Sequence, residues 1–327
     1  MVKLSVIIVN YRGWEPLKRC LHSLSCLDMA IYDSEIVVVD NCSSDGKFES
    51  FSRLFPTVKF VENTGNFGFS NGNNLGFRNS NGKYILFLNP DTEISLSALN
   101  LMLEYIEGHD ESKIVSCQQE NEAGREENPY GVFPSLKSLN GLSRAIFRLF
   151  NSKDKLKVHC NDQSVIYPDW VSGSLILMKR DIFQLVGGWS EDYFMYYEDV
   201  DLCKKVSDLG SKVALLCNAR IMHQHGGLTR KNSKQTAFFK TEVLKSQHIY
   251  ISKHFDGFKK CLMQTILVFN NLVLERLLPA LLGLIFFFEP KLRTQLFVYF
   301  NLLGYYLKAI SRRSWIVGPR TVNFAKD

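Results

Sequence analysis

The amino-acid sequence predicts an α/β fold in which a mixed, mostly parallel sheet is flanked by helices and followed by a helical C-terminal appendage. Two observations carry this prediction: short apolar runs alternate with segments of helical spacing, and each early run ends at a polar residue. Such alternation is typical of parallel strands joined by right-handed crossovers. With 327 residues, the chain is long enough for one large domain and an appendage.

Four buried strands are predicted in the first 88 residues of the chain. The apolar runs cover residues 4–9, 35–39, 58–61 and 84–88. Pro16 suits the first turn of a helix between the first two strands, and the apolar residues after it recur at helical spacing. Asn10, Asp40, Asn63 and Asn89 stand at or just after the strand ends. Because ligands bind outside the carboxyl ends of parallel strands, these residues predict a polar cleft.

The sequence Asn89-Pro90-Asp91 closes the fourth strand. A carboxylate at this position can hold a divalent cation against a diphosphate, which indicates a reaction with a diphosphate leaving group. The alternative is a plain strand-to-helix turn, in which Asp91 or Thr92 caps a helix that contains Leu96.

Residues 63–74 form a segment rich in Gly and Asn. Backbone N–H groups in such a loop can approach a phosphate, and a helix that follows adds a favourable dipole. Gly65, Gly68 and Gly72 do not have the G-x-G-x-x-G spacing, and no Gly-Lys-Ser/Thr is present. The alternative is a flexible surface loop.

These motifs and four later ones occur in a specific order. The early ones are Val-Ile-Ile-Val-Asn-Tyr at 6–11, Val-Asp-Asn-Cys-Ser-Ser-Asp-Gly at 39–46, the Asn/Gly loop and Leu-Asn-Pro-Asp-Thr at 88–92. The later ones are Trp-Val-Ser-Gly-Ser at 170–174, Gly-Gly-Trp at 187–189, Phe-Met-Tyr-Tyr-Glu-Asp-Val-Asp-Leu at 194–202 and Ala-Arg-Ile-Met-His-Gln-His-Gly-Gly at 219–227. Over residues 3–230 the chain resembles family 2 glycosyltransferases, most closely the rhamnosyltransferase-type branch.

The resemblance implies a GT-A fold and an inverting, metal-assisted transfer of a sugar from a nucleoside diphosphate sugar to a hydroxyl. It also implies a set of donor-binding residues: Asn10, Tyr11, Asp40, Asn41, Ser43, Asn66, Gly68 and Asn74. Asp40 is expected to accept from a pyrimidine N–H. Asn10 and Tyr11 are expected to line the base, and Asn41 and Ser43 to contact the ribose.

The resemblance implies a metal site formed by Asp91 and His223, with His225 as the alternative histidine. Asp91 matches the last position of the family's metal motif, although here one carboxylate stands where two are usual. Imidazole together with carboxylate and phosphate oxygens suits Mn²⁺, and Mg²⁺ less well. Mn²⁺ or Mg²⁺ is therefore the expected cofactor.

The family's Glu-Asp motif falls on Glu198 and Asp199, so Asp199 is expected to take the proton of the acceptor hydroxyl. Glu198 and Asp201 are second choices. The alternative is that these acidic residues only favour the positive end of a helix dipole. Trp170 and Trp189 are candidates for the sugar and acceptor sites, and either could equally belong to the core.

The C-terminal quarter has a different composition. Residues 251–327 contain eleven Lys or Arg against four Asp or Glu, a net charge of +7, while the whole chain carries +6. Their densest apolar run, 277–288, is shorter than the roughly twenty residues that a membrane-spanning helix needs. We expect a GT-A domain at 1–255 and, at 256–327, a helical segment that contacts the anionic membrane surface. A dimerisation segment is the alternative.

The remaining expectations concern location and partners. The eight cysteines lack the spacing of a disulfide framework, and the N-terminal apolar run is too short for a signal peptide, which favours reduced thiols and a cytoplasmic enzyme at the inner face of the membrane. The acceptor is expected to be a surface glycan or a lipid-linked glycan, and no motif indicates nucleic-acid binding. The competing interpretation is a non-catalytic GT-A-like partner subunit, against which Asp91, Asp199 and His223 together argue.

Overall fold

A mixed sheet of ten strands forms the centre of the described part of the chain. The computed structural model describes residues 3–25, 33–139, 160, 164–224, 232–318 and 320–322. The strands are β1 (Leu4–Asn10), β2 (Ser34–Asp40), β3 (Lys59–Glu62), β4 (Tyr84–Leu88), β5 (Thr92–Ile94), β6 (Ser112–Glu120), β7 (Glu126–Glu127), β8 (Tyr130–Gly131), β9 (Val165–Ile166), β10 (Trp170–Val171), β11 (Leu175–Lys179) and β12 (Lys212–His223). Strands β8 and β10 pair separately as a small antiparallel ribbon.

The main sheet has the order β3-β2-β1-β4-β11-β6-β12-β5, with β7 beside β6 and β9 beside β12. Strands β3, β2, β1 and β4 are parallel, and so are β6 and β12. Strand β11 is antiparallel to both β4 and β6, and therefore joins the two parallel halves. The α/β class and the mixed, mostly parallel sheet are confirmed.

Helices cover both faces of the sheet and form the C-terminal part. They are α1 (Trp14–Ser25), α2 (Phe48–Leu54), α3 (Phe69–Arg78), α4 (Leu96–Gly108), α5 (Arg180–Leu185), α6 (Glu198–Asp208), α7 (Ser233–His254), α8 (Gly257–Phe269), α9 (Leu277–Ile285) and α10 (Pro290–Arg312), with a π-helical segment at Asn270–Leu274. Because successive strand side chains point to opposite faces, Val6 and Ile8 pack with α1 while Ile7 packs on the other face. Both faces of β1 and β4 are buried, as expected for central strands.

Two local predictions are corrected by the structure. The cap of α4 is Ser95, whose Oγ accepts from the Ala98 N–H at 3.2 Å, so neither Asp91 nor Thr92 caps that helix. The Asn/Gly segment is a loop only as far as Gly68, because α3 begins at Phe69.

The glycines of α3 explain why a sequence rich in Gly and Asn forms a helix here. A Cβ on Gly72 would lie 2.7 Å from Val9 Cγ1, and a Cβ on Gly76 would lie 2.4 Å from Ile7 Cγ2. These two glycines therefore allow the helix axis to approach β1 closely. Glycine is needed at these two positions because a side chain would not fit, and not because the backbone turns there.

The C-terminal helices pack on each other around a second apolar cluster. Its buried members come from α7 and α10: Ala237, Leu244, Val298, Leu302, Tyr305 and Tyr306. Helix α7 thus packs against α10 although it precedes the boundary expected at residue 256. The sequence also predicts an amphipathic helix that contains Leu139, Leu142, Ile146 and Leu149, and apart from Leu139 these residues lie outside the described part of the chain.

The Sγ atoms of Cys160 and Cys217 form a disulfide that joins residues 57 positions apart. The expectation of a reduced thiol at Cys217 is therefore corrected. Cys20, Cys117 and Cys203 are buried and unpaired, in agreement with the apolar positions that they occupy.

We predict that Gly76→Ala destabilises the protein, because the added methyl group would overlap Ile7 in a packed core. Overpacking of this kind costs about 1–3 kcal/mol. The control is Gly304→Ala in α10, where nothing lies within 4 Å of the added Cβ and helix propensity favours alanine. Urea unfolding of both variants measures the difference, and equal stabilities would contradict the close packing of α3.

Candidate active site

Asp40 is the centre of a buried polar cluster at the ends of β1 and β2. Its Oδ1 accepts from Asn10 Nδ2 at 3.0 Å and from Ser43 Oγ at 2.5 Å, and its Oδ2 accepts from the Ser43 N–H at 2.8 Å. Burial raises the pKa of Asp40, and these hydrogen bonds oppose the rise. A carboxylate offers about four acceptor positions, so one position on Oδ2 remains for a ligand N–H.

Arg12 joins this cluster and was not predicted. Its N–H donates to Ser43 Oγ at 2.8 Å, and its Nε donates to the Ser43 carbonyl at 3.1 Å. Arg12 adopts a left-handed backbone with φ of 55°. The position after Tyr11 and the polar turn could have indicated its role, but one arginine in a loop is a weak signal.

The loop before α3 is shaped by Gly68. This residue has φ of 92°, and a Cβ on it would lie 2.1 Å from the Phe194 carbonyl oxygen. The N–H of Gly68 donates to Asn66 Oδ1 at 3.2 Å, and its carbonyl accepts from Asn41 Nδ2 at 2.9 Å. The structure therefore brings Asn41, Asn66 and Gly68 together, as the sequence predicted.

Asn74 holds α3 against the Gly-Gly-Trp turn. Its Nδ2 donates to the Trp189 carbonyl at 2.9 Å and to Glu191 Oε1 at 2.8 Å, and its Oδ1 accepts from the Trp189 N–H at 3.1 Å. Both amide hydrogens are thereby used within the protein. These contacts give Asn74 a structural role, its contact with the donor stays a prediction, and Glu191 is a partner that sequence reasoning missed.

The two tryptophans differ in their surroundings. Trp189 is 1% exposed and packs against Phe69, Phe87 and Phe183, so its assignment to the acceptor site is corrected and the core alternative applies. Trp170 is partly exposed, and its Nε1 donates to the Val132 carbonyl at 3.0 Å.

Asp91 and His223 lie together, as predicted. His223 Nε2 is 3.3 Å from Asp91 Oδ1, and His223 Nδ1 is 2.9 Å from Gln119 Oε1. Gln119 Nε2 in turn donates to Ser174 Oγ at 2.7 Å. His225 lies outside the described residues.

The hydrogen bond to Gln119 orients the His223 ring. Because Gln119 presents its oxygen to Nδ1, that nitrogen donates, and Nε2 faces the Asp91 carboxylate. Imidazole nitrogen and carboxylate oxygen are both ligand types that bind divalent transition metals.

Glu198 and Asp199 begin α6 after two residues with left-handed backbones, Tyr196 and Tyr197. Asp199 Oδ2 accepts from the Gly173 N–H at 3.0 Å. Burial raises the pKa of both carboxyls, and the Asp199 charge raises that of Glu198 further. Among the described residues, Glu198 Oε2 has no hydrogen-bond partner. The protonated form of Glu198 is therefore favoured by its burial and by the charge of the adjacent Asp199.

Asp201 is a structural residue rather than a second candidate base. It is fully buried and accepts from His254 Nε2 at 2.8 Å and from the Tyr193 hydroxyl at 3.2 Å, with Lys205 Nζ at 3.1 Å. Burial would raise its pKa, but the His254 hydrogen bond and the nearby lysines outweigh burial and lower it. It therefore stays ionised and paired.

The turn at 172–174 connects the candidate base with the candidate metal ligands. Ser174 Oγ accepts from Gln119 and donates to Ser172 Oγ at 3.0 Å, and the Ser174 carbonyl accepts from the Asn89 N–H at 2.9 Å. Between them, Gly173 binds Asp199. The Trp-Val-Ser-Gly-Ser motif thus links three strand ends to α6.

Residues 5–166, which include the donor-side cluster and Asp91, match the family described as "Glycosyl transferase family 2". The chain belongs to this family. Its enzyme class, a glycosyltransferase, is thereby confirmed over the alternative of a non-catalytic module.

Three relatives agree with the family. "Low-salt glycan biosynthesis hexosyltransferase Agl10" of Haloferax volcanii is 30% identical over 205 residues, which cover 61% of this chain and 60% of that protein. "Rhamnosyltransferase WbbL" of Escherichia coli is 28% identical, with 64% and 78% covered. "N-acetylglucosaminyl-diphospho-decaprenol L-rhamnosyltransferase" of Mycobacterium tuberculosis is 23% identical, with 78% and 85% covered. This glycosyltransferase therefore spans less than two thirds of the haloarchaeal protein.

Two solved structures share the fold. Staphylococcus aureus TarS 1–349 superposes with a TM-score of 0.51 at 17% identity, covering 84% of this chain and 73% of that chain. GalNAc-T7, solved with UDP, GalNAc and Mn²⁺, gives 0.55 at 16% identity, with 75% and 47% covered. At these identities the likeness shows the GT-A fold alone.

We predict that the stability of this glycosyltransferase falls as pH rises above about 4.5, the ordinary pKa of a glutamate, in part because of Glu198. The folded protein retains the Glu198 proton that the unfolded chain releases, so rising pH favours unfolding until the raised pKa is passed. Glu198→Gln should make unfolding free energy less dependent on pH, whereas the exposed Glu104→Gln should not. Parallel pH profiles for wild type and Glu198→Gln would contradict a protonated Glu198.

Proposed function

We propose that this glycosyltransferase transfers a sugar, with inversion, from a nucleoside diphosphate sugar to a hydroxyl of a lipid-linked or surface glycan, using Mn²⁺ or Mg²⁺. The observation that carries the proposal is the Asp91–His223 pair, joined through Gln119 and the 172–174 turn to Asp199. Two of the named relatives are rhamnosyltransferases, so rhamnose donors are the first to test.

The candidate metal ligands suit a divalent cation that binds together with the nucleoside diphosphate sugar. Among the described residues, no group of three His, Cys, Asp or Glu side chains is placed to hold a metal ion, and the candidate ligands that lie together there are Asp91 and His223. Diphosphate oxygens and water complete such a shell, and oxygen with imidazole is typical for Mn²⁺. When bound, the ion neutralises charge on the departing diphosphate. The Nδ1–H of His223, held by Gln119, keeps Nε2 directed towards that position.

On the donor side, the free acceptor position of Asp40 Oδ2 suits the N–H of a pyrimidine. Asn10 and Ser43 hold the carboxylate in place, so little rearrangement is needed on binding. Uracil and thymine both present such an N–H, which makes UDP- and dTDP-sugars the favoured donors.

Asp199 is the base in this proposal. It takes the proton of the acceptor hydroxyl while that oxygen forms a bond to C1 and the bond from C1 to the diphosphate oxygen breaks on the opposite face. The configuration at C1 is thereby inverted, without a covalent enzyme intermediate. Gly173 orients one carboxylate oxygen of Asp199, and burial raises the pKa of the group towards the range that suits proton transfer.

The C-terminal helices offer a surface for the lipid that would carry the acceptor. Helix α8, the π-helical segment and α9 follow one another over Gly257–Ile285, a stretch long and apolar enough to cross a membrane by length and composition, of which 28% of the most apolar window is buried. The apolar patch comprises the exposed side chains of Leu277, Leu278, Leu281, Leu284, Ile285, Phe286, Phe287 and Phe288. The exposed Lys259 lies near the start of this stretch and the exposed Lys291 follows its end, and the net charge of the C-terminal quarter suits an anionic surface.

We predict that Asp199→Asn lowers kcat about 10²-fold or more, since it removes the general base. Glu198→Gln should keep most activity, because burial and the Asp199 charge raise the pKa of Glu198 and so favour its neutral form, which glutamine resembles. Nucleotide release from UDP-, dTDP- and GDP-sugars in the presence of an acceptor extract measures both variants. Normal turnover by Asp199→Asn with an inactive Glu198→Gln would assign the base to Glu198.

We predict that Asp91→Asn abolishes transfer while the protein stays folded, and that EDTA has the same effect on the wild type. The matched control is Asp110→Asn, which removes an exposed carboxylate paired with Lys113 and Lys179. Mn²⁺ binding in the presence of UDP, followed by electron paramagnetic resonance, should be lost in Asp91→Asn only. Full transfer in EDTA would refute the metal-dependent mechanism.

We predict that the protein co-sediments with anionic vesicles at low salt and less at high salt. Each basic residue near the surface should contribute roughly 1 kcal/mol of electrostatic attraction, which salt screens. Replacing Leu278, Ile285 and Phe288 with serine should weaken this binding. Serine at Leu54, Leu185 and Leu209, which are also exposed, should not.

Three other results of that experiment would be informative. Indifference to vesicles, together with a dimer that the first triple variant dissociates, would favour dimerisation. Extraction from native membranes by detergent alone would indicate that the helical stretch inserts. Equal vesicle binding by both triple variants would exclude the apolar patch as the contact.

A further inference from the structure

We propose that the segment after α10, residues 314–318 and 320–322, is a strap that positions the donor loop. The donor loop is residues 63–68, before α3, and the strap holds Gly65 and Asn66 of this loop in their donor-binding conformation. The inference rests on the proposed donor role of that loop and adds residues from the far end of the described chain to the site. The carrying observation is a backbone hydrogen bond from the Val322 N–H to the Asn66 carbonyl at 2.9 Å.

The strap begins with a firm anchor on the C-terminal helices. The Trp315 ring stacks on His248, with centroids 4.7 Å apart and planes 11° apart. The Tyr305 hydroxyl donates to the Trp315 carbonyl at 2.6 Å. Val317 packs against the cluster between α7 and α10, and Ile316 packs against the cluster that contains Tyr250.

A charged contact fixes the middle of the strap. Arg320 forms an ion pair with Glu242, whose side chain is 1% exposed and which also pairs with Lys245 at 3.1 Å. The Arg320 guanidinium lies 5.7 Å from the centre of the Phe194 ring. The Phe194 carbonyl accepts from the N–H of Phe69, the first residue of α3.

The end of the strap fits the donor loop closely. A Cβ on Gly65 would lie 2.9 Å from Thr321 Cγ2, so the contact requires glycine at that position. Asn66, whose carbonyl is held by Val322, accepts with its side chain from the Gly68 N–H. The loop is therefore held on one side by Phe194 and on the other by the strap.

The expected consequence is preorganisation of the donor site. A free loop of Gly and Asn loses conformational entropy when it closes on a ligand, and a contact that orders it beforehand removes that cost from binding. The strap touches the loop but neither Asp199 nor Asp91 in any described contact. Its loss should therefore weaken donor binding and leave the chemical step unchanged.

The test removes one hydrogen-bond donor from the strap. Val322→Pro lacks the N–H that binds Asn66, and Val322→Ala retains it. With UDP and dTDP as probes in Mn²⁺, calorimetry should give a Kd about three- to tenfold higher for Val322→Pro than for Val322→Ala, the effect of one hydrogen bond. The value of kcat at saturating donor and the melting temperature should match between the two variants.

A second pair of variants tests the packing contact. Gly65→Ala should raise Kd because the added methyl group displaces Thr321, and the double variant Gly65→Ala with Thr321→Ala should recover part of the affinity. The side-chain loss in Thr321→Ala alone should have a small effect. Absence of recovery would attribute the Gly65→Ala effect to Phe67, whose ring is 3.0 Å from the same position, and would count against the strap.

Asp40→Ala separates failure of the strap from failure of the proposed function. If Asp40→Ala loses nucleotide binding while Val322→Pro binds like Val322→Ala, the strap is refuted and the donor site stands. If the wild type binds neither UDP nor dTDP, or if Asp40→Ala binds them as well as the wild type does, both the proposed donor site and the strap are refuted. A lower kcat with unchanged Kd in Val322→Pro would also overturn the inference.

Discussion

The turn at residues 172–174 is the constraint on which the geometry of the active site depends. Its middle N–H binds Asp199, and its last serine is joined through Gln119 to His223 and Asp91. The links from Ser174 to Gln119 and from Gln119 to His223 are hydrogen bonds between side chains. Removing one partner would leave a buried polar atom unsatisfied, at a cost of about 1–3 kcal/mol. The turn carries no charge, yet it sets where the charges of the site lie.

Much of this arrangement is predictable from sequence, because strands buried on both faces are apolar throughout and end abruptly in polar residues. That pattern gives β1, β2 and β4, and it places Asn10 and Asp40 side by side at one sheet edge. The ends of helices are less predictable. Gly72 and Gly76 are typical loop residues in sequence, but here their missing side chains let α3 approach β1.

Contacts between distant residues account for what sequence reasoning missed. Asn74 forms a hydrogen bond with Trp189, which is 115 positions away in sequence, and His223 forms one with Gln119, which is 104 positions away. No local sequence pattern predicts such pairs. The same holds for the strap, since the meeting of Val322 with Asn66 depends on how α10 packs on α7. The C-terminal helices thereby have connections that composition alone did not reveal, among them one from the segment after α10 to the donor loop and one, through His254, to α6.

The position of β11 in the sheet has a consequence for synthesis of the chain. Strand β4 pairs on one side with β1, but its other edge is filled only by Leu175–Lys179, which leaves the ribosome much later. Until then the nascent N-terminal half presents an apolar strand with unpaired N–H and C=O groups, which is the kind of edge that recruits other chains into aggregates. The N-terminal half is therefore not an independent module, and fragments that end before β11 would expose this edge of β4.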